Sequence, residues 1–156
     1  MADSSTLQER IDAAAVAAMK ARETVRLGTL RMVRAALKNR EIDNRAPLEE
    51  TDVLQVLGTQ AKQRRESIEQ FRAGGREDLA AKEEAELAVL QEFLPPVLAE
   101  DELRAAVVAA VAEVGAAGPR DMGRVMGVLM PRLQGRAEGG AVNRLVREVL
   151  AGEADR

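Results

Sequence analysis

Between Pro119 and Val149 the chain carries six arginines, Arg120, Arg124, Arg132, Arg136, Arg144 and Arg147, against three acids, in a 156-residue protein of net charge −3. A guanidinium stays charged at any physiological pH and offers five N–H donors in a planar fork that matches phosphate. The chemistry open to this stretch is therefore anion binding, a phosphate backbone being the anion that uses several such groups at once; a solvated helix surface in an arginine-rich composition is the equal alternative. Gly123 and Gly127, four apart, open one side of the segment to the close approach of another molecule. RNA fits there, but a neighbouring helix is the preferred visitor. Gly139-Gly140 either presents main-chain amides to a phosphate at the start of the last helix or makes a tight connection.

Bond-making chemistry finds no such support. The sequence has no His, Cys or Tyr, so the commonest general base, the commonest nucleophiles and the usual zinc ligands are missing. Its serines are Ser4, Ser5 and Ser67, none in a nucleophile-elbow context. From Glu77 through Glu102 there are nine acids and one lysine. That run lacks the alternating ligands and glycine of a calcium loop and reads as the solvated start of a helix. No catalytic residue, metal ligand or cofactor is assigned.

The elements that must position the arginines are helices. Aromatic residues make up 1% of the chain, and strand-forming types are scarce beside Ala, Leu, Glu and Arg, which predicts an all-α protein. Thr6-Leu7-Gln8-Glu9 has the form of a capping box and predicts a helix to about Ala21, with Leu7, Ile11, Ala15 and Ala18 or Met19 inward. A second helix is expected over Val25 to Asp43, with Leu30, Val33 and Leu37 buried. A third runs from Glu50 to Ala73, closed by Gly74-Gly75, with Leu54, Leu57, Ala61 and Ile68 inward. A fourth covers Glu77 to Phe93.

Pro95-Pro96 is the strongest boundary, because neither residue continues a helix and each constrains its predecessor. Beyond it, Leu103, Val107, Ala110 or Val111 and Val114 define a fifth helix. Met122, Val125, Met126, Leu129 and Leu133 define a sixth, which Pro131 should kink or close. Val142, Leu145, Val146 and Val149 define a seventh. The expected domains are 1–95, a helical domain of about four helices, and 96–151, a three-helix domain, with a frayed tail at 152–156. Arg31, Arg34 and Lys38, with Lys62, Arg64 and Arg65, form either a second basic surface or, the preferred reading, ion pairs with the acidic start of the fourth helix.

Four stretches together resemble a known family: LRMVRAALKNREID, QAKQRRESIEQFRAGGREDL, AVLQEFLPPVL and DMGRVMGVLMPRLQGRAEGGAVNRLV. From about Leu7 to Leu150 the chain resembles the YqeY-like proteins, small bacterial relatives of the tail of GatB, the B subunit of the glutamyl/aspartyl-tRNA amidotransferase. The sharpest part is the glycine–methionine helix followed by G-[RK]-A-[DE]-G and V-N-x-L-V. The resemblance implies a three-helix C-terminal domain shared with GatB, whose tail helps to hold tRNA while the amide-forming chemistry lies elsewhere. Arg120, Gly123, Arg124, Gly127, Arg136 and Asn143 match the family motif. Glu138 departs from it, standing where the family commonly has Asp, a better helix cap.

The expectation is thus a non-catalytic tRNA-associated protein. With no aromatic residue after Phe93, recognition should be of shape and backbone, with no DNA specificity. The alternatives are a helical adaptor docking on amidotransferase or aminoacyl-tRNA synthetase components, and the carbon–nitrogen ligase activity with glutamine as amido-N-donor by which such families are described. Nothing in the chain resembles GatB's kinase-like cradle or an amidase triad. No apolar run approaches the roughly 20 residues that span a bilayer, and MADSSTLQER lacks the basic start and apolar stretch of a signal peptide. With no cysteine, a cytoplasmic home is expected.

Overall fold

The computed structural model describes residues 4–133 and 136–154. Two compact units, Met1–Pro95 and Pro96–Arg156, divide the chain. The first contains α1 (Leu7–Ala21), α2 (Thr24–Asn44), α3 (Glu50–Ala73) and α4 (Glu77–Gln91). The second contains α5 (Glu100–Val114), a 3-10 turn at Pro119–Asp121, α6 (Met122–Arg132) and α7 (Gly139–Ala154). Among the described residues the protein is all-α, four α-helices followed by three.

Local chemistry sets the helix ends. The Glu9 N–H donates to Thr6 Oγ1 and the Thr6 N–H donates to Glu9 Oε2, both at 3.1 Å, so the capping box forms as the sequence predicts. The Leu7 N–H donates to Glu50 Oε1 at 3.0 Å, which ties the start of α1 to the start of α3. At Gly74-Gly75 the chain turns through a left-handed Gly75, φ 73°, a conformation glycine adopts without strain. Helix α4 stops two residues short of the predicted Phe93. The Glu92 and Phe93 N–H groups bond to the Val89 and Leu90 carbonyls, three residues back, so the last turn tightens ahead of Pro95. Glu102 accepts from the Ala99 N–H at 3.3 Å, and α5 begins at Glu100, ahead of its first inward residue.

Each unit has its own core. In the first, Leu7, Ile11, Ala15 and Ala18 of α1 meet Leu30, Val33 and Leu37 of α2, Val53, Leu57 and Ala61 of α3, and Val89, Leu90 and Phe93. Met19 is exposed, so Ala18 takes the inward place. The buried stripe of α3 runs Val53, Leu57, Ala61, Arg64, Ile68. It is one position off the predicted start at Leu54, which packs half-buried, and it includes a charged residue. Arg64 pairs with Glu83 at 3.3 Å and Glu86 at 3.1 Å, while Arg72 pairs with Glu77 and Glu84. Ion pairing to α4 thus accounts for these two cations, whereas Arg34 turns to Asp12 of α1 and Lys62 to Glu66 of its own helix.

In the second unit Leu103, Val107, Ala110 and Val111 pack with Val125, Leu129 and Leu133 of the α6 region and Val142, Leu145, Val146 and Leu150 of α7. Met122, Met126 and Met130 fill its margin, the role unbranched thioethers suit. Pro131 lies in the last turn of α6. Helix α7 continues through Ala154, across positions where the sequence suggested fraying. Residues 155–156 lie outside the described residues, as does Gly135, which opens the GRAEG motif.

Candidate nucleic-acid interface

The six arginines separate into two groups of three. Arg120 sits in the 3-10 turn, which packs against α7. Arg136 lies in the α6–α7 connection, where its N–H donates to the Leu133 carbonyl and its own carbonyl accepts from the Leu98 N–H, both at 2.8 Å. Arg147 is on the outer side of α7, two residues past the buried Leu145. All three side chains are exposed, and among the described residues none has an ion-pair partner.

Arg124, Arg132 and Arg144 are engaged within the unit. Arg132 makes a two-pronged contact with Glu113, its Nη1 and Nη2 donating at 2.7 and 2.8 Å. Arg124 donates to Asp121 at 3.2 Å and to the Val114 carbonyl. Arg144 reaches Glu148 at 3.2 Å and Glu100 at 3.5 Å, while Arg104 of α5 also holds Glu148, at 3.0 Å. Two of these carboxylates, Glu100 and Glu113, belong to α5. They lie outside the arginine-rich stretch, so a charge count along that stretch misses them. The usable signal is the adjacency of α5 to both α6 and α7, which short connections in a small helical unit impose.

The two glycines on α6 correct one preference. A methyl group added at Gly123 or Gly127 would meet nothing within 4 Å, so no neighbouring helix among the described residues of this unit accounts for them. Both face outward, because each sits two positions from Val125, on the side away from the Val125–Leu129 face. Gly139 and Gly140 form the first two positions of α7 and are equally open. Asn143, on the same helix, is half-buried. Among the described residues no group of acids is placed to hold a metal ion, and no helix is long and apolar enough to cross a membrane.

Three carboxylates of this unit titrate below their ordinary range. For Glu113 the cause is the pair of hydrogen bonds from Arg132, then its charge. For Asp121 it is the Ala117 N–H, donating at 2.9 Å, then Arg124. For Glu148 it is the hydrogen bond from Arg104, then the charge of Arg144. The unfolded chain binds these protons more tightly than the folded one, so the contribution to stability is whole above the ordinary carboxylate values and is lost as pH falls through the lowered ones. Thermal melts followed by circular dichroism should therefore hold a constant midpoint from pH 7 to about 5 and decline below about pH 4. A midpoint that rises on acidification would show that these pairs do not persist in solution.

Residues 8–150 match the family described as Yqey-like protein. The chain is 37% identical over 91 residues to "Altered inheritance of mitochondria protein 41, mitochondrial" of Eremothecium gossypii, a match covering 56% of this chain and 50% of that protein. It is 32% identical over 136 residues to the protein of the same name from Pyrenophora tritici-repentis, covering 85% and 75%. An uncharacterized protein of Schizosaccharomyces pombe is 36% identical over 77 residues, covering 49% and 63%. The chain thus spans about half the length of the first of these relatives. The expectation of a bacterial, cytoplasmic protein is corrected by this comparison, because six relatives are named as mitochondrial proteins. A lack of cysteine does not separate one thiol-reducing compartment from another, so composition carried no such information. The match over residues 8–150 takes in all seven helices apart from the first residue of α1 and the end of α7, and the chain belongs to the YqeY-like protein family.

Proposed function

We propose that this chain is a non-catalytic tRNA-binding protein whose C-terminal unit holds the phosphate backbone of a folded RNA. The observation that carries the reading is the set Arg120, Arg136 and Arg147, exposed and without a carboxylate partner among the described residues. The resemblance to the GatB tail, which helps to hold tRNA, supports the choice of RNA. The outward Gly123 and Gly127 add a helix face on which no side chain keeps a phosphate strand away. Base stacking plays no part, since no aromatic residue follows Phe93.

A binding titration against tRNA at several salt concentrations tests this. The logarithm of the affinity should fall linearly with the logarithm of salt, and absence of binding at low salt rejects the reading. A gain-of-function variant sharpens it. Glu113→Gln keeps the shape of the side chain but releases the Arg132 guanidinium for phosphate. One added contact should steepen the salt slope by about one unit and tighten binding roughly five- to eightfold near ~0.1 M salt. An unchanged affinity would place Arg132 away from the RNA.

A further inference from the structure

Helix α2 and its C-cap carry charge that the described residues leave unpaired. Arg34 is taken by Asp12, and Arg40 by Asp52 and Gln55. Among the described residues Arg31, Lys38 and Arg45 have no such partner, and they recur every seven residues, which sets them along one side of the helix and its cap. Ile42 stands on the same side at 63% exposure, the most exposed large apolar residue described in its unit. Lys38, Glu41, Ile42, Arg45, Ala46 and Pro47 surround an open depression of about 460 Å³. Arg45 is the left-handed C-cap of α2, φ 54°, as Arg22 is of α1, and its N–H donates to the Ile42 carbonyl.

From this arrangement we infer a docking site for an acidic helix of a partner protein. An aliphatic residue of that helix sits against Ile42, Ala46 and Pro47, and its carboxylates pair with Lys38 and Arg45. Charge complementarity identifies the partner as acidic, and two features make it protein rather than nucleic acid. The apolar lining of the depression, Ile42, Ala46 and Pro47, gives a base no aromatic ring to stack on. Glu41 stands within the depression, where it repels a phosphate strand but is readily met by a single lysine or arginine of a helix. Aliphatic anchors set at helical spacing in a groove are the usual form of such recognition.

The probe is a fluorescein-labelled 16-residue helical peptide carrying one leucine, with a glutamate four residues before it and another three after, titrated against the full chain. Saturable binding that weakens with salt is expected. It should weaken at least tenfold in Ile42→Asp and in the pair Lys38→Glu and Arg45→Glu. These side chains are exposed, and the helical circular dichroism of each variant verifies folding. Excess tRNA should leave the peptide bound. Binding that never saturates, binding indifferent to both variants, or displacement of the peptide by tRNA each overturns the assignment, the last by making this a nucleic-acid surface.

Discussion

Replacing Arg120, Arg136 and Arg147 together by alanine should lower tRNA affinity about a hundredfold near ~0.1 M salt and reduce the slope of log affinity against log salt by two to three units, roughly 0.7–0.9 per phosphate contact. The three side chains are exposed and spend none of their charge on carboxylates among the described residues, so their removal costs the fold little. The loss in binding then reads directly on phosphate contacts. The comparison is the other triple, Arg124→Ala, Arg132→Ala and Arg144→Ala. It strips partners from Asp121, Glu113, Glu148 and Glu100 and leaves that acidity facing any approaching anion. It should therefore weaken binding too, but with an altered pH profile, because Glu113 loses both causes of its lowered value, while Asp121 and Glu148 keep the Ala117 and Arg104 hydrogen bonds that chiefly lower theirs. If the first triple binds tRNA as tightly as the parent protein at every salt concentration, the C-terminal unit is not the RNA-holding surface.

The helices were legible because their ends are written in local chemistry. Thr6 and Glu9 close a cap by themselves, Gly74-Gly75 needs only its own backbone to end α3, and Pro95-Pro96 stops α4 by steric exclusion. Apolar spacing likewise identified Val125, Leu129, Leu145 and Val146, which are fully buried. The candidate site was legible only in part. A guanidinium's availability depends on carboxylates brought in from another helix, and Glu113 lies 19 residues before the Arg132 it engages. Gly123 and Gly127 show the same limit from the opposite side, since their spacing suited a helix contact that the packing of this unit does not make.

Arg64 pairs with α4 as the sequence reading preferred, but residue type gave no sign of its burial, and it sets the largest stability effect. It occupies the inward row of α3 between Ala61 and Ile68 and is only 8% exposed. Its guanidinium lies between Glu83 and Glu86 of α4, themselves largely buried, and its Nη2 reaches the Met32 sulfur of α2 at 3.6 Å. Arg64→Ala leaves two largely buried carboxylates with no cation between them. Breaking such a pair from one side costs about 3–5 kcal/mol, which in a unit of this size lowers the thermal midpoint by more than about 10 °C. The triple variant Arg64→Met, Glu83→Gln, Glu86→Gln removes the charges together and should recover most of that loss, since an ion pair and an apolar replacement of similar volume are often close in stability. Midpoints of Arg64→Ala and the triple variant that coincide would mean the carboxylates stay hydrated, and that the stem of Arg64 contributes by packing alone. The Arg64 Nε has no acceptor among the described residues, so the contact is incompletely satisfied even when intact. An apolar residue there would fill the stripe without that cost, but it would remove a charged group that, with Arg72, fixes which residues of α4 face α3.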